Sequence, residues 1–211
     1  GRKVKAHVET TLILNKPPGF LCTRHDELED PRREAGIRET VYALLPAHLQ
    51  SPHYVGRLDK DSEGLLILTN SGALTEKLTH PRFGVEKEYL VAVNKQVTDD
   101  FLRGMAKGVR LNREMTLPCK TRKIAPYGFA ITLTQGLNRQ IRLMCQALDY
   151  SVEQLRRVRI IKVQLGPLKQ GIWRNLTDKE LEKLRFISRP GFKAETLPIL
   201  FKAAAGRPFQ S

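Results

Sequence analysis

The sequence has little cysteine: Cys22, Cys119 and Cys145 are the only three in 211 residues. They are odd in number, far apart and form no C-x-x-C pair, so they suggest neither a secreted disulfide framework nor a thiolate zinc cage. A reducing, cytoplasmic setting is the expectation. No apolar run approaches the ~20 residues that a bilayer-crossing helix needs. The opening Gly1-Arg-Lys-Val-Lys also lacks the apolar centre of a secretory signal, so a soluble chain is expected. A phosphate-loop glycine pattern, a dinucleotide fingerprint and a metal-ligand cluster are all missing, which sets the expectation of no cofactor and no metal. Internal repeats and low-complexity tracts are missing too.

What is abundant is positive charge. Lys and Arg number 36 against 22 Asp and Glu, a formal net charge of +14. Such an excess favours a polyanionic partner through phosphate neutralisation and counterion release. RNA, DNA and an anionic membrane surface would all satisfy it. The chain shows no basic amphipathic helix with an aromatic-rich apolar face, which counts against a membrane and leaves nucleic acid. With 41% hydrophobic residues the chain can bury one sizeable core, or one domain built as two lobes. A boundary between lobes would fall near 94–126, although composition does not mark it.

Segments rich in aliphatic and β-branched residues predict strands at Thr11–Asn15, Leu65–Asn70, Glu88–Val93, Phe129–Gln135 and Val158–Leu165. Helical patterns separate them, giving a mixed α+β chain. Val97–Val109 predicts a helix with Thr98 as N-cap, Asp99 and Asp100 in its first turn, and Phe101, Met105 and Val109 on one face. Asn138–Tyr150 predicts another: Ile141, Met144, Cys145 and Leu148 form its apolar stripe, while Arg139, Arg142 and Gln146 form a basic face pointing away from the core. Thr177-Asp-Lys-Glu180 fits a capping box opening a last helix to about residue 188, where Arg189-Pro190-Gly191 breaks it.

The densest polar cluster is Gly56-Arg-Leu-Asp-Lys-Asp-Ser-Glu-Gly64, running directly into the apolar strand Leu65-Leu-Ile-Leu-Thr-Asn70. A loop feeding a buried strand can hold a carboxylate rigidly beside a cleft. The spacing of Asp59, Asp61 and Glu63 imitates half of a calcium loop. However, its twelfth position is Asn70 instead of a bidentate Glu, and strand rather than helix follows Gly64. An Asx-turn, with Asp59, Asp61 and Ser62 satisfying local backbone groups, remains the structural alternative to catalysis. Gln135-Gly-Leu-Asn-Arg-Gln-Ile-Arg-Leu-Met-Cys145 would open a helix whose N-terminus and arginines suit phosphate, or would simply be a solvated face.

At these two segments the sequence resembles the RNA pseudouridine synthases, in the ribosomal small- and large-subunit branch that modifies ribosomal RNA and some tRNA. GRLDKDSEGLLILTN is similar to that branch's signature and GLNRQIRLMC to its later motif. Lys87-Glu-Tyr-Leu-Val91 is similar to its tyrosine motif and Asn15-Lys-Pro-Pro-Gly19 to its N-terminal motif. Arg159 to Thr177 resembles the end of the catalytic domain, and the match runs in order from about Leu12 to Leu184.

The resemblance implies an α+β catalytic domain with the pseudouridine synthase fold: a bent, mainly antiparallel sheet with flanking helices and a central basic cleft. It assigns Asp59 as the catalytic aspartate, Tyr89 as the aromatic that packs against the target base, and Arg142 as the cation that pairs with the aspartate. Lys16, Arg57 and Lys87 would position RNA and Arg139 would hold a phosphate. Tyr89 as an ordinary strand aromatic and Arg142 as an exposed helical residue stay open beside these roles. Leu143 departs from the common Arg-Met pairing at that point and removes one expected RNA contact.

The expected domain plan is a linker at 1–10 following an RNA-binding domain absent from this chain, a catalytic domain at 11–188 and a tail at 189–211. The implied reaction isomerises a uridine in structured RNA, in 23S ahead of 16S ribosomal RNA, by a monomer without cofactor. The N1–C1′ bond would break, the base rotate, and C5 rejoin the sugar, with the flipped uridine sandwiched on Tyr89. Asp59 attacking C1′, adding to C6, or removing a sugar proton are three routes that need the same carboxylate. A non-catalytic RNA-binding or ribosome-assembly module that retains the fold is the competing expectation. A nuclease is a weaker rival, because it would usually need a metal cluster.

Overall fold

The computed structural model describes residues 9–24 and 39–186. The expected tail at 189–211, the helix-breaking Arg189-Pro190-Gly191 and almost all of the linker at 1–10 therefore lie outside the described residues. A nine-stranded sheet forms the centre of the molecule, with four α-helices packed along it.

In chain order the elements are β1 (Thr11–Lys16), β2 (His53–Val55), β3 (Glu63–Thr69), α1 (Gly72–Thr79), β4 (Lys87–Val93), α2 (Asp99–Lys107), β5 (Arg110–Leu111) and β6 (Glu114–Met115). They continue with β7 (Lys120–Ala125), β8 (Gly128–Leu133), α3 (Gln140–Ala147), β9 (Val152–Ile160), β10 (Val163–Gln164), β11 (Trp173–Asn175) and α4 (Asp178–Arg185). The sheet order is β11-β1-β3-β9-β4-β8-β7, with β2 pairing β3 and β10 pairing β9. Every pairing in this sheet is antiparallel except β3 with β9, a parallel seam of two residue pairs, Glu63 with Arg156 and Gly64 with Arg157.

The apolar runs of β1 and β3 are continuous rather than alternating because both faces of these strands are covered. Ile13, Leu65 and Ile67 face a core shared with Ile160, Val163 and Leu184. Leu12, Leu14, Leu66 and Leu68 face a second core with Val41 and Tyr42. A third core gathers Val91 and Val93 of β4, Phe129 and Ile131 of β8, Phe101 and Met105 of α2, and Ile141 and Met144 of α3. Thr98 caps α2 as expected, accepting a hydrogen bond from Phe101 N at 3.2 Å. The Thr177–Glu180 capping box opens α4.

Within 94–126, α2 and a separate two-stranded sheet of β5 and β6 lead into β7, which lies at the edge of the main sheet. Two expectations change. The strand expected at Val158–Leu165 starts six residues earlier, at Val152, and is broken at Ile161, whose positive φ of 55° turns the chain back into β10. The helix expected over Asn138–Tyr150 is shorter, because Arg139, at φ 50°, stands at its N-cap in the left-handed region.

Candidate active site

The loop between β2 and β3 carries Asp59. Its backbone closes a turn in which Ser62 N donates to Asp59 O at 3.0 Å, so the expected turn exists but is made by main chain. The Asp59 carboxylate is left in the wall of a cavity of about 340 Å3.

Two buried cations hold this loop. Lys16, expected to position RNA, is instead fully buried at the end of β1. Its Nζ donates to the carbonyls of Pro17 (3.0 Å), Lys60 (3.3 Å) and Ser62 (2.7 Å), which leaves it no face for RNA. Burial pushes its pKa down, against the raising influence of Cys22, Asp61, Asp59 and Glu63. Arg157, which the sequence reading does not single out, is the second. Its Nε donates to Leu65 O at 2.7 Å and its Nη2 to Gly56 O at 2.9 Å, so one guanidinium spans both ends of the Asp59 loop. Close strand approach here requires Gly64: at φ +104°, a Cβ on it would stand 2.2 Å from the Arg157 carbonyl oxygen.

The arginines of α3 are shared differently from the expectation. Among the described residues no ion pair joins Arg142 to Asp59. Arg142 Nη1 instead donates to Val152 O at 3.2 Å, while Nη2 donates to Asp61 O at 3.1 Å and lies 3.2 Å from Asp61 Oδ2. Its side chain is 12% exposed, so the basic face expected to point away from the core is turned into the structure at this position. The cation beside Asp59 is Arg139, with Nη1 3.9 Å from Oδ2. The physical reason is the left-handed backbone at Arg139, which sends its 47%-exposed side chain back over the loop, where it also forks onto Asp61 at 3.3 and 3.2 Å. Burial alone would raise the Asp61 carboxyl, but the Arg139 hydrogen bond and the charges of Arg142 and Arg139 hold it below its ordinary value.

Tyr89 lies on β4 directly opposite Arg157 of β9, and cross-strand partners share a face. Both line the cavity with Lys87, two positions before Tyr89 on the same face, and with Arg57, Asp59 and Arg139. Lys87 is largely buried and donates to Val85 O at 3.2 Å. Desolvation, and then the nearby Arg157 charge, lower its pKa to about 8. Of the seven residues expected at the site, five therefore line one cavity, Arg142 touches the Asp59 loop only through Asp61, and Lys16 is buried under that loop's carbonyls. Among the described residues no group of three or more His, Cys, Asp or Glu side chains is placed to hold a metal ion.

A loop aspartate at the wall of a cavity also lined by a strand tyrosine and by an α3 arginine is the arrangement that the resemblance implies. The family model for RNA pseudouridylate synthase matches residues 10–147. The chain belongs to this family. It is 45% identical over 170 residues to the dual-specificity RNA pseudouridine synthase RluF of Escherichia coli K12, covering 81% of this chain and 55% of that one. The chain thus spans little more than half of that relative's length.

Two more distant relatives match at 30% identity. One is the ribosomal small subunit pseudouridine synthase A of Vibrio cholerae (87% of this chain, 78% of that one). The other is the ribosomal large subunit pseudouridine synthase B of Bacillus subtilis (92% and 79%). A solved pseudouridylate synthase structure superposes with a TM-score of 0.77 at 32% identity, covering 85% of this chain and 75% of that one. The α+β fold expected from the sequence is the fold of this family.

Proposed function

We propose that this protein isomerises a uridine to pseudouridine in structured RNA, using the Asp59 carboxylate, and that the substrate is ribosomal RNA. The observation that carries the reading is the sharing of one cavity by Asp59 and Tyr89 in a member of this family. The cavity has room for an extruded base, and an aromatic wall offers it a stacking platform. Arg139 supplies a positive charge beside Asp59 that can aim its carboxylate. Arg142 acts one step away, fixing the loop through Asp61.

Ribosomal RNA is favoured because two relatives are named for ribosomal subunits. We place 23S ahead of 16S on the branch resemblance, while these two relatives, equal in identity, divide between the subunits. The reaction conserves atoms and oxidation state, so it asks for a positioned carboxylate and a dry pocket rather than an external reagent.

The test is to map pseudouridine in both ribosomal RNAs from cells with and without the gene, then restore either the wild-type or an Asp59→Asn protein. One uridine that is converted only with the wild-type protein is the expected result. An unchanged map, or conversion by Asp59→Asn, overturns the reading. An unchanged map together with retained RNA binding would favour the non-catalytic module.

A further inference from the structure

Among the described residues, two cations that line the cavity have no carboxylate to answer them. Arg157 is buried and spends Nε and Nη2 on backbone carbonyls, while Nη1 makes no hydrogen bond to a described residue. Lys87 is largely buried and holds one carbonyl, that of Val85. Among the described residues neither forms an ion pair. Both border the space beside Tyr89, and buried charge without a counter-charge is costly unless something that enters the site repays it. Among the described residues, four cations line this cavity, Arg57, Lys87, Arg139 and Arg157, with one carboxylate, Asp59, while Arg139 is also answered by Asp61.

We propose that Lys87 and Arg157 form an anion-stabilising floor that takes up the negative charge developing on the uracil ring when its bond to ribose breaks. This rests on the function proposed above. When the N1–C1′ bond breaks heterolytically, the bonding pair stays on N1 and spreads over O2 and O4. Rejoining through C5 spends a pair of ring electrons on the new C–C bond. The proton lost from C5 balances one gained at N1, so no co-reactant is needed.

A base stacked on Tyr89 would have a ring edge over Lys87 and Arg157, since all three side chains leave the same sheet face. Preorganised donors in a water-poor site stabilise developing charge more strongly than water does. Addition at C6 also puts negative charge on the ring, so the floor serves any of the three routes available to Asp59.

Lys87 is the residue to vary, because Arg157 also holds the Asp59 loop and its loss would disturb the backbone. The measurement is single-turnover tritium release from C5 of uridine in transcribed ribosomal RNA, with RNA affinity measured in parallel and pH varied. Lys87→Met is expected to lower the rate by about 100-fold, the scale of losing one transition-state donor, while affinity stays near wild type. The wild-type rate should also fall above about pH 8 as Lys87 loses its proton.

The charged groups facing Lys87 are Arg157 from β9 and, across the cavity, Arg57, Asp59 and Arg139. Glu86, Glu88 and Arg159 nearby are engaged with one another. Lys87→Arg should restore much of the rate and remove the fall near pH 8, because a guanidinium keeps its proton. Uridine N3 ionisation is common to all three proteins and cancels in the comparison. A Lys87→Met enzyme at wild-type rate, one that loses affinity in proportion to rate, or one with an unchanged descending limb overturns the proposal. Wild-type protein that releases no tritium at all removes the function on which it rests.

Discussion

At the scale of single residues, Asp59 and Asp61 are two positions apart yet differently employed. Asp59 lines the cavity and meets one arginine at 3.9 Å, whereas Asp61 gathers both Arg139 and Arg142. Asp59→Asn keeps a turn-forming side chain but removes the anion, and is expected to give no pseudouridine even with enzyme in excess, while folding and RNA binding persist. Asp61→Asn should slow the reaction without abolishing it, because the two arginines lose their shared counter-charge but the Asp61 carbonyl still holds Arg142. Single-turnover assays of both variants separate these outcomes.

Arg139→Ala should weaken both RNA affinity and rate, since that side chain is half exposed and stands beside Asp59. Arg142→Ala should reduce mainly the rate, because a side chain so covered offers little to RNA.

Motifs brought Asp59 and Tyr89 to notice in the sequence, but they pointed to Arg142 rather than Arg139 as the cation beside Asp59. The sequence also misdirected at Lys16 and missed Arg157. A lysine at a strand end and an arginine in the run Arg156-Arg157-Val158-Arg159 look like solvent-facing charge, and only the tertiary positions of backbone carbonyls show that they are interior donors.

At the scale of elements, β1, β3, β4 and β8 were legible because aliphatic runs mark strands buried on one or both faces. Most of β9 was not, because its sequence Val-Glu-Gln-Leu-Arg-Arg-Val-Arg-Ile is polar while its position is central. Arg157 is accommodated by carbonyls and Arg159 by Glu86 and Glu88. Strand β7, Lys-Thr-Arg-Lys-Ile-Ala, was overlooked for the opposite reason: it is an edge strand, where charge deters pairing with other chains.

Gly64→Ala tests the β3–β9 contact, because the added carbon meets a backbone oxygen and the positive φ is strained. A loss on the order of 3 kcal/mol or more is expected in denaturant unfolding. The α4 capping box predicts a milder effect: Thr177→Ala should cost about 1 kcal/mol, lowering Tm by about 2–4 °C. Within that box the Arg174 hydrogen bond holds the Glu180 carboxyl at about 2, down from 4.5. A depressed carboxyl stabilises the fold above its ordinary value, and that contribution disappears as pH falls from about 4.5 to about 2. Glu180→Gln should therefore flatten this part of the acid-unfolding curve followed by circular dichroism.

For the whole molecule, the net charge of +14 predicted a polyanionic partner, and four cations around the cavity place part of that charge where a nucleic acid would approach. RNA affinity should fall on the order of a thousandfold between about 50 and 200 mM salt if some six phosphates are neutralised. A salt-independent affinity, read by filter binding, would contradict this.

The short parallel seam has a kinetic meaning as well. Only two residue pairs join β3 to β9, and the Arg157 to Leu65 bond across it spans 92 positions of chain. Contacts so distant in sequence are reached later in folding than a local pairing such as that of β7 with β8. Once made, a join so narrow should also be the first to loosen in the native state. Amide protons along Glu63–Leu65 and Arg156–Val158 should therefore exchange with deuterium sooner than those in the middle of β1 or β4. A nucleotide held in the cavity above would slow that exchange, so substrate binding and the breathing of the sheet would be one equilibrium observed from two sides.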